Sequence, residues 1–253
     1  ATIYRASCAH GAVALKLYNE VGNKGEGAAV QFLRNLEPGA GVKIHQTNVL
    51  RTAILMDWLE GPSLDTLIAN GQETEAVSHL LAVAAAVSRT NFRYPYLYRR
   101  MSAKFEKDFR SFEAKHNCPE LTRAAVLLES LIQTTQQERV IHGDLWFGNV
   151  VLTEGGPRLF DPKGFCIDPA FEFSKALAPS YPMTTLDDYR AFITRRAAEM
   201  APAIGVEPQR VIKWCAITTA HRYFRHALNT AEAQAELPYL QTLLNLSEAK
   251  INF

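Results

Sequence analysis

The stretch "RVIHGDLWFGNVVL", residues 139–152, decides how the rest of the chain is read. Val140 and Ile141 run into His142-Gly143-Asp144, and Asn149 opens a second apolar run, Val150–Leu152. The longer "NVVLTEGGPRLFDP" reads as strand, Gly-Gly turn, strand. A turn centred on Gly155 sets Val150 against Phe160, Val151 against Leu159 and Leu152 against Arg158. Asn149 and Asp161 are then expected opposite each other just beyond the paired region, with Cα atoms about 5 Å apart. An amide oxygen and a carboxylate so placed can share a hard cation such as Mg²⁺, which takes few protein ligands and fills its shell with water and phosphate oxygens. Asp144 sits on the loop just before, near that ion without coordinating it. Each residue alone reads as the polar end of a hairpin; the three together read as a site.

Two pairs of short strands precede this hairpin. "TIYRA" and "AVALKLY" flank a turn at Cys8–Gly11, and "GVKIH" and "TAILMDWL" flank a second polar stretch. Between the pairs, Ala29, Phe32, Leu33 and Leu36 of "EGAAVQFLRNL" follow helical spacing. The order predicts a small sheet with one helix packed on it. After "EGPSL" the chain reads as mostly helical. Thr74 is the expected N-cap of "TEAVSHLLAVAAAVSRT", and Pro119 suits a first helical turn. Thr185 and Asp188 have capping-box-like spacing, and Pro208 opens a further helix.

Composition narrows the function classes. The hydrophobic fraction is 47% and the charged fraction 21%, as in a soluble globular protein. Lys+Arg 27 against Asp+Glu 26 leaves net +1, which gives no electrostatic reason to expect nucleic acid or an anionic membrane as partner. "RYPYLYRRMSAKFEKDFR" interleaves bases with aromatics, but Tyr and Phe at these spacings fit a helix packed on the core. The apolar stretch "HLLAVAAAV" is far short of the roughly 20 residues that span a bilayer. Cys8, Cys118, Cys166 and Cys215 form no C-x-x-C pair, so reduced thiols and a cytoplasmic location are expected.

"HGDLWFGN" resembles the H-G-D-x-x-x-x-N loop of the aminoglycoside phosphotransferase-like kinase superfamily. "FDPKGFCIDPAFE" brings it nearest to the streptomycin/hydroxyurea resistance kinase branch, and "HGDLW" with "FDP" is also similar to fructosamine kinases. The resemblance implies an α+β, two-lobed protein-kinase-like fold. A small β-rich N-lobe with one helix (1–56) would bind nucleotide, 57–61 would be the hinge, and a mostly helical C-lobe (62–253) would carry the catalytic loop, metal site and acceptor site. It implies ATP and Mg²⁺ as cofactors, with Asp144 as catalytic base and Asn149 and Asp161 as metal ligands. "AVALK" resembles V-A-I-K, which places Lys16 on the phosphates and Glu26 as its ion-pair partner. "ILMDWLEGPSL" resembles the hinge, with Met56 behind the adenine and main-chain groups near Asp57 and Leu59 bonding it. Glu172 is expected to brace the catalytic loop, Asp168 to orient it or, alternatively, to touch substrate, and Lys163 to be a solvated loop charge. No G-x-G-x-x-G precedes Lys16.

The implied activity moves the γ-phosphoryl group of ATP to a hydroxyl of a small aminoglycoside-like or sugar-like acceptor. A fructosamine (ketosamine) kinase and a non-catalytic nucleotide-binding module are the alternatives. Six residues between Asp161 and Asp168, and no A-P-E, leave no platform for a peptide substrate. From Asp168 to Phe253 there are nine acidic and nine basic residues, a balance not tuned to a polycation. Arg190, Arg195, Arg196, Arg222, Arg225, His221 and His226 are expected along the acceptor side. Neither acceptor identity nor oligomeric state is set by the motifs.

Overall fold

In chain order the elements are β1 (Thr2–Cys8), β2 (Gly11–Leu17), α1 (Glu26–Asn35), β3 (Ile44–Thr47), β4 (Ala53–Asp57), α2 (Leu64–Ala69), α3 (Glu73–Arg89) and β5 (Arg99–Arg100). Then come α4 (Ser102–Glu113), α5 (Pro119–Thr134), β6 (Arg139–Ile141), β7 (Val150–Thr153), β8 (Gly156–Leu159), β9 (Phe165–Ile167), α6 (Leu186–Met200), α7 (Pro208–Arg225) and α8 (Ala231–Glu248). This computed structural model describes residues 1–8, 11–18, 26–48, 52–115, 117–225, 230–251 and 253, without the side chains of Glu26 and Glu232. The chain is a mixed α+β protein. It divides into two compact units, residues 1–99 with 140–166, and 100–139 with 167–253. Compactness thus groups α2, α3 and the β7–β8 hairpin with the N-terminal sheet.

In the first unit the predicted order strand, strand, helix, strand, strand is present. The sheet runs β1–β2–β4–β3, all antiparallel, with Lys16 of β2 paired to Ile3 and Ile54. Val13 and Ala14 of β2 are buried, as is the face of α1 formed by Ala28, Ala29, Phe32 and, just past its end, Leu36. That face repeats every three to four residues, the period of an amphipathic helix. Phe32 stacks on Phe92 at 4.9 Å and meets the edge of His142 at 5.8 Å, so α1 packs directly on the loop that follows β6.

The β7–β8 hairpin is held on two sides. Leu152 N donates to Pro62 O at 2.9 Å, where the linker after β4 crosses β7. Gly61 is at φ +136, and a Cβ there would sit 1.9 Å from Leu152 O, so only glycine permits this crossing. Val42 N donates to Leu159 O, and Leu159 N to Ala40 O.

The hairpin register differs by one from the expected one. Val150 pairs with Leu159, Val151 with Arg158, Leu152 with Pro157 and Thr153 with Gly156. Glu154 and Gly155 make the reversal and Gly156 follows at φ +97, the left-handed glycine that commonly follows a turn in such hairpins. Asn149 therefore stands opposite Phe160, whose N–H donates to its carbonyl at 3.0 Å. Asp161 lies past the ladder at φ +55. α3 also starts one residue before the expected Thr74 cap, because the turn at Asn70–Gly71 that closes α2 leads straight into it.

The second unit contains helices α4 to α8. Phe105 and Phe109 of α4 are buried, as their spacing predicts. Thr185 caps α6, accepting from Asp188 N at 3.0 Å. α8 continues through Pro238, a residue that removes a donor and normally ends a helix. Asp168, 2% exposed, accepts from Arg210 Nε at 2.6 Å, Ala170 N at 2.9 Å and Thr135 Oγ1 at 3.2 Å. Its carboxylate is thus committed to holding this unit together. Glu172 is buried in the same unit.

Of the basic groups expected along the acceptor side, Arg196 and His221 are turned inward and Arg222 is in a surface ion pair. Arg196 is 1% exposed with its guanidinium 4.7 Å from the Phe192 ring. Arg222 pairs with Glu236 at 3.1 Å. His221 bonds Asp108 at 2.8 Å among Phe105, Phe109 and Phe112. Arg190, Arg195 and Arg225 are exposed, and His226 lies outside the described residues.

Candidate active site

The loop from His142 to Asn149 joins β6 to β7 and is shaped by its first two residues. His142 is fully buried; its Nε2 lies 2.9 Å from Phe160 O, and Asp144 N lies 3.2 Å from its Nδ1. The second contact makes Nδ1 the acceptor and Nε2 the donor to the carbonyl, which is the neutral tautomer. Burial pushes its pKa down to about 4, against the pull of the Phe160 carbonyl and nearby carboxylates. Gly143 is at φ +77, and a Cβ on it would meet the Phe165 ring at 2.5 Å. The loop therefore lies flat on Phe165 and presents Asp144.

Asn149 Nδ2 donates to Asp144 O at 2.8 Å, and Asn149 is 8% exposed. Lys16 Nζ lies 2.5 Å from Asp161 Oδ1, and Lys163 Nζ lies 3.3 Å from Asp161 Oδ2 and 3.6 Å from Asp144 Oδ2. Burial alone would raise the Asp161 pKa; Lys16 and Lys163 outweigh it and hold the carboxyl below the usual carboxylate range. So the first unit gathers Lys16, Asp144, Asn149 and Asp161 around a single charge cluster. Lys163, expected as a solvated loop charge, belongs to the cluster. Its sequence signal was position alone, two residues after the motif Asp.

The other expected residues divide. The Glu26 side chain lies outside the described residues; Lys16 pairs with Asp161 and lies 4.8 Å from the centre of the Tyr18 ring. Met56 is half-buried on β4, beside Ala14 of β2. Asp57 N donates to Lys43 O at 3.0 Å and Trp58 N to Ala12 O at 3.3 Å, so both amides serve the sheet. The Asp57 carboxylate holds His45 at 2.7 Å. Among the described residues Leu59 N–H makes no hydrogen bond. An open groove of about 800 Å³ follows this linker, walled by Ala12, Trp58 and Leu59 and by Leu152, Glu154 and Arg158 of the hairpin. None of the charged cluster lines it. Trp146, two residues after Asp144, was not singled out in the sequence; its indole is 40% exposed and lies over Gly148, where a Cβ would come within 2.3 Å.

Asn149 and Asp161 offer oxygen donors of the kind a hard cation takes, and few of them. Among the described residues no group of three His, Cys, Asp or Glu side chains could hold a metal ion, so a zinc-like cage is not the chemistry of this loop. Two ammonium groups already lie on the Asp161 carboxylate, which marks it as a cation acceptor.

The family model for aminoglycoside/hydroxyurea antibiotic resistance kinases matches residues 3–226. The chain belongs to this family. As a resistance-kinase family member it is a small-molecule phosphotransferase, and the family description leaves the acceptor open. Solved structures place this kinase in the protein-kinase-like fold. A choline/ethanolamine kinase family protein from Mesorhizobium loti is similar with TM-score 0.63 and 11% identity, covering 98% of this chain and 92% of its own. A thermostable mutant of aminoglycoside phosphotransferase APH(4)-Ia, in complex with ADP and hygromycin B, matches with TM-score 0.63 and 10% identity over 99% and 95%. A putative fructosamine-3-kinase from Thermobifida fusca matches with TM-score 0.55 and 15% identity over 96% and 89%. No curated protein sequence matches this kinase. No helix among its described residues is long and apolar enough to cross a membrane.

Proposed function

We propose that this protein is an ATP-dependent kinase that transfers the γ-phosphoryl group to a hydroxyl of a small molecule. The observation that carries the reading is the cluster of Lys16, Asp144, Asn149 and Asp161 within the first unit. The nucleotide and hygromycin B bound by the APH(4)-Ia complex support the same pairing of ATP with a hydroxylated acceptor. Lys16 clamps the phosphates from β2. Leu59, with an uncommitted N–H, and Asp57 offer main-chain groups to the adenine, and Met56 backs it. This follows the functional division into an N-lobe (1–56), a hinge (57–61) and a C-lobe (62–253).

Asn149 and Asp161 would hold Mg²⁺, which neutralises phosphate charge when bound. The Asn149 amide, fixed by donating to Asp144 O, leaves its oxygen for that role. Asp144, with its side chain only 13% exposed, orients the acceptor hydroxyl and takes its proton. The short Asp161–Asp168 connection contains β9 and supports a small acceptor over a peptide. None of the four cysteines is in a disulfide, and two are buried, which is compatible with a reducing cytoplasm.

The test is a panel of aminoglycosides, ketosamines, sugars and amino alcohols with radiolabelled ATP and Mg²⁺. The expected outcome is label on a small molecule. Label on proteins alone would overturn the reading, and ATP binding without transfer to any hydroxyl compound would favour the non-catalytic module.

A further inference from the structure

Lys163 is held in place as few loop lysines are. Its N–H donates to His142 O at 2.8 Å, and the next amide, Gly164 N, reaches the same oxygen at 3.2 Å. Gly164 is at φ +61 and so close to α1 that a Cβ would fall 2.8 Å from Ala28 O. The turn Asp161-Pro162-Lys163-Gly164 is thus pinned between the catalytic loop and α1. From that anchor the ammonium reaches Asp161 Oδ2 at 3.3 Å and Asp144 Oδ2 at 3.6 Å. It is the more accessible cation of the cluster, with its side chain 38% exposed against 11% for Lys16.

The position has a chemical consequence. On the proposed function, Asp144 serves the acceptor hydroxyl and Asp161 the phosphates, so the two would stand at the ends of the transfer path. An ammonium within ion-pair distance of both lies beside the phosphorus in between. Asp161 would hold the divalent cation, leaving Lys163 beside Asp144 with charge to offer to a phosphoryl group. Fixed positive charge at a position where phosphoryl oxygens pass is the usual source of stabilisation for this reaction.

Resting on the function proposed above, we infer that Lys163 is a further catalytic residue that contacts the γ-phosphoryl oxygens. In the step it serves, the bond from phosphorus to the acceptor oxygen forms. The bond to the β–γ bridging oxygen breaks, its electron pair leaves with ADP, and the hydroxyl proton passes to Asp144. Lys163 donates hydrogen bonds and charge and transfers no proton.

The test uses the full chain with Lys163→Met, which keeps the aliphatic stem, and Lys163→Arg, which keeps the charge. Calorimetry with Mg²⁺ compares ADP with a non-hydrolysable ATP analogue, and turnover is measured on an acceptor found in the panel. For Lys163→Met the analogue should bind about tenfold more weakly while ADP affinity stays within about twofold, and kcat should fall roughly 10²-fold or more. Lys163→Arg should recover most of the analogue affinity. Equal weakening of both nucleotides would make Lys163 a structural anchor, and no change in either would make it a solvated charge; either result overturns the inference. A wild-type protein that binds neither nucleotide overturns the kinase reading itself, and does so before any variant is compared.

Discussion

Lys16 Nζ lies 2.5 Å from Asp161 Oδ1, although 145 residues separate the two in sequence. The contact joins a strand of the N-terminal sheet to the loop after the β7–β8 hairpin, and so brings the two candidate residues into one charge cluster.

From that contact, Asp161→Asn and Asp144→Asn should differ. Asp144→Asn keeps size and one acceptor oxygen but removes the charge that takes the hydroxyl proton. Turnover should fall about 10²- to 10⁴-fold with MgATP affinity nearly intact. Asp161→Asn should weaken MgATP binding along with turnover. Parallel measurement of kcat and nucleotide affinity separates them, and near-normal turnover in Asp144→Asn would remove its assigned role.

The buried His142 should make stability fall in mild acid. Its pKa is pushed down to about 4 in the folded protein, so the unfolded chain binds the proton first as pH drops below about 6.5. The stability present above pH 6.5 is then lost towards pH 4, by about 3 kcal/mol from this group. His221, also lowered by burial, adds in the same direction. Urea unfolding across pH 4–7 should show the slope, and His142→Gln should flatten it while His221→Gln leaves the larger part.

Gly143→Ala and Gly71→Ala should differ in cost. Both glycines have left-handed φ, but a Cβ at Gly143 meets the Phe165 ring at 2.5 Å, while one at Gly71 meets nothing within 4 Å. Gly71→Ala should cost about 1 kcal/mol from backbone strain alone. Gly143→Ala should cost roughly 2–4 kcal/mol and lower kcat, because Phe165 or the loop under Asp144 must move. Equal denaturation midpoints for the two variants would contradict this packing.

Arg210→Met should destabilise the second unit. It leaves Asp168, 2% exposed, with only Thr135 and the Ala170 amide. Stranding one member of a buried ion pair costs about 3–5 kcal/mol. The double variant Arg210→Met/Asp168→Asn should regain part of that loss in chemical denaturation; a loss equal to or larger than that of the single variant would show that the pair is not the source.

The sequence by itself determined the order of strands in the first unit, the helix α1 between the strand pairs, the hairpin and the choice of Asp144, Asn149 and Asp161 as candidates. These are local signals: the short apolar run of β2, the three-to-four spacing of Ala29, Phe32 and Leu36, and a glycine turn between apolar runs. Tertiary structure decided what local spacing leaves open. The hairpin register slipped by one because Gly156, not Gly155, takes the left-handed turn position while Ala40 and Val42 bond Leu159. α8 passes through Pro238, a residue that by local preference ends a helix. Arg196 and Arg222, polar in any sequence reading, are committed to Phe192 and Glu236. Lys163 entered the charge cluster because the His142 carbonyl, 21 residues earlier in the chain, receives its amide and aims its side chain between two carboxylates. A side chain's direction on a turn depends on the surface that turn docks against, and that surface comes from elsewhere in the chain.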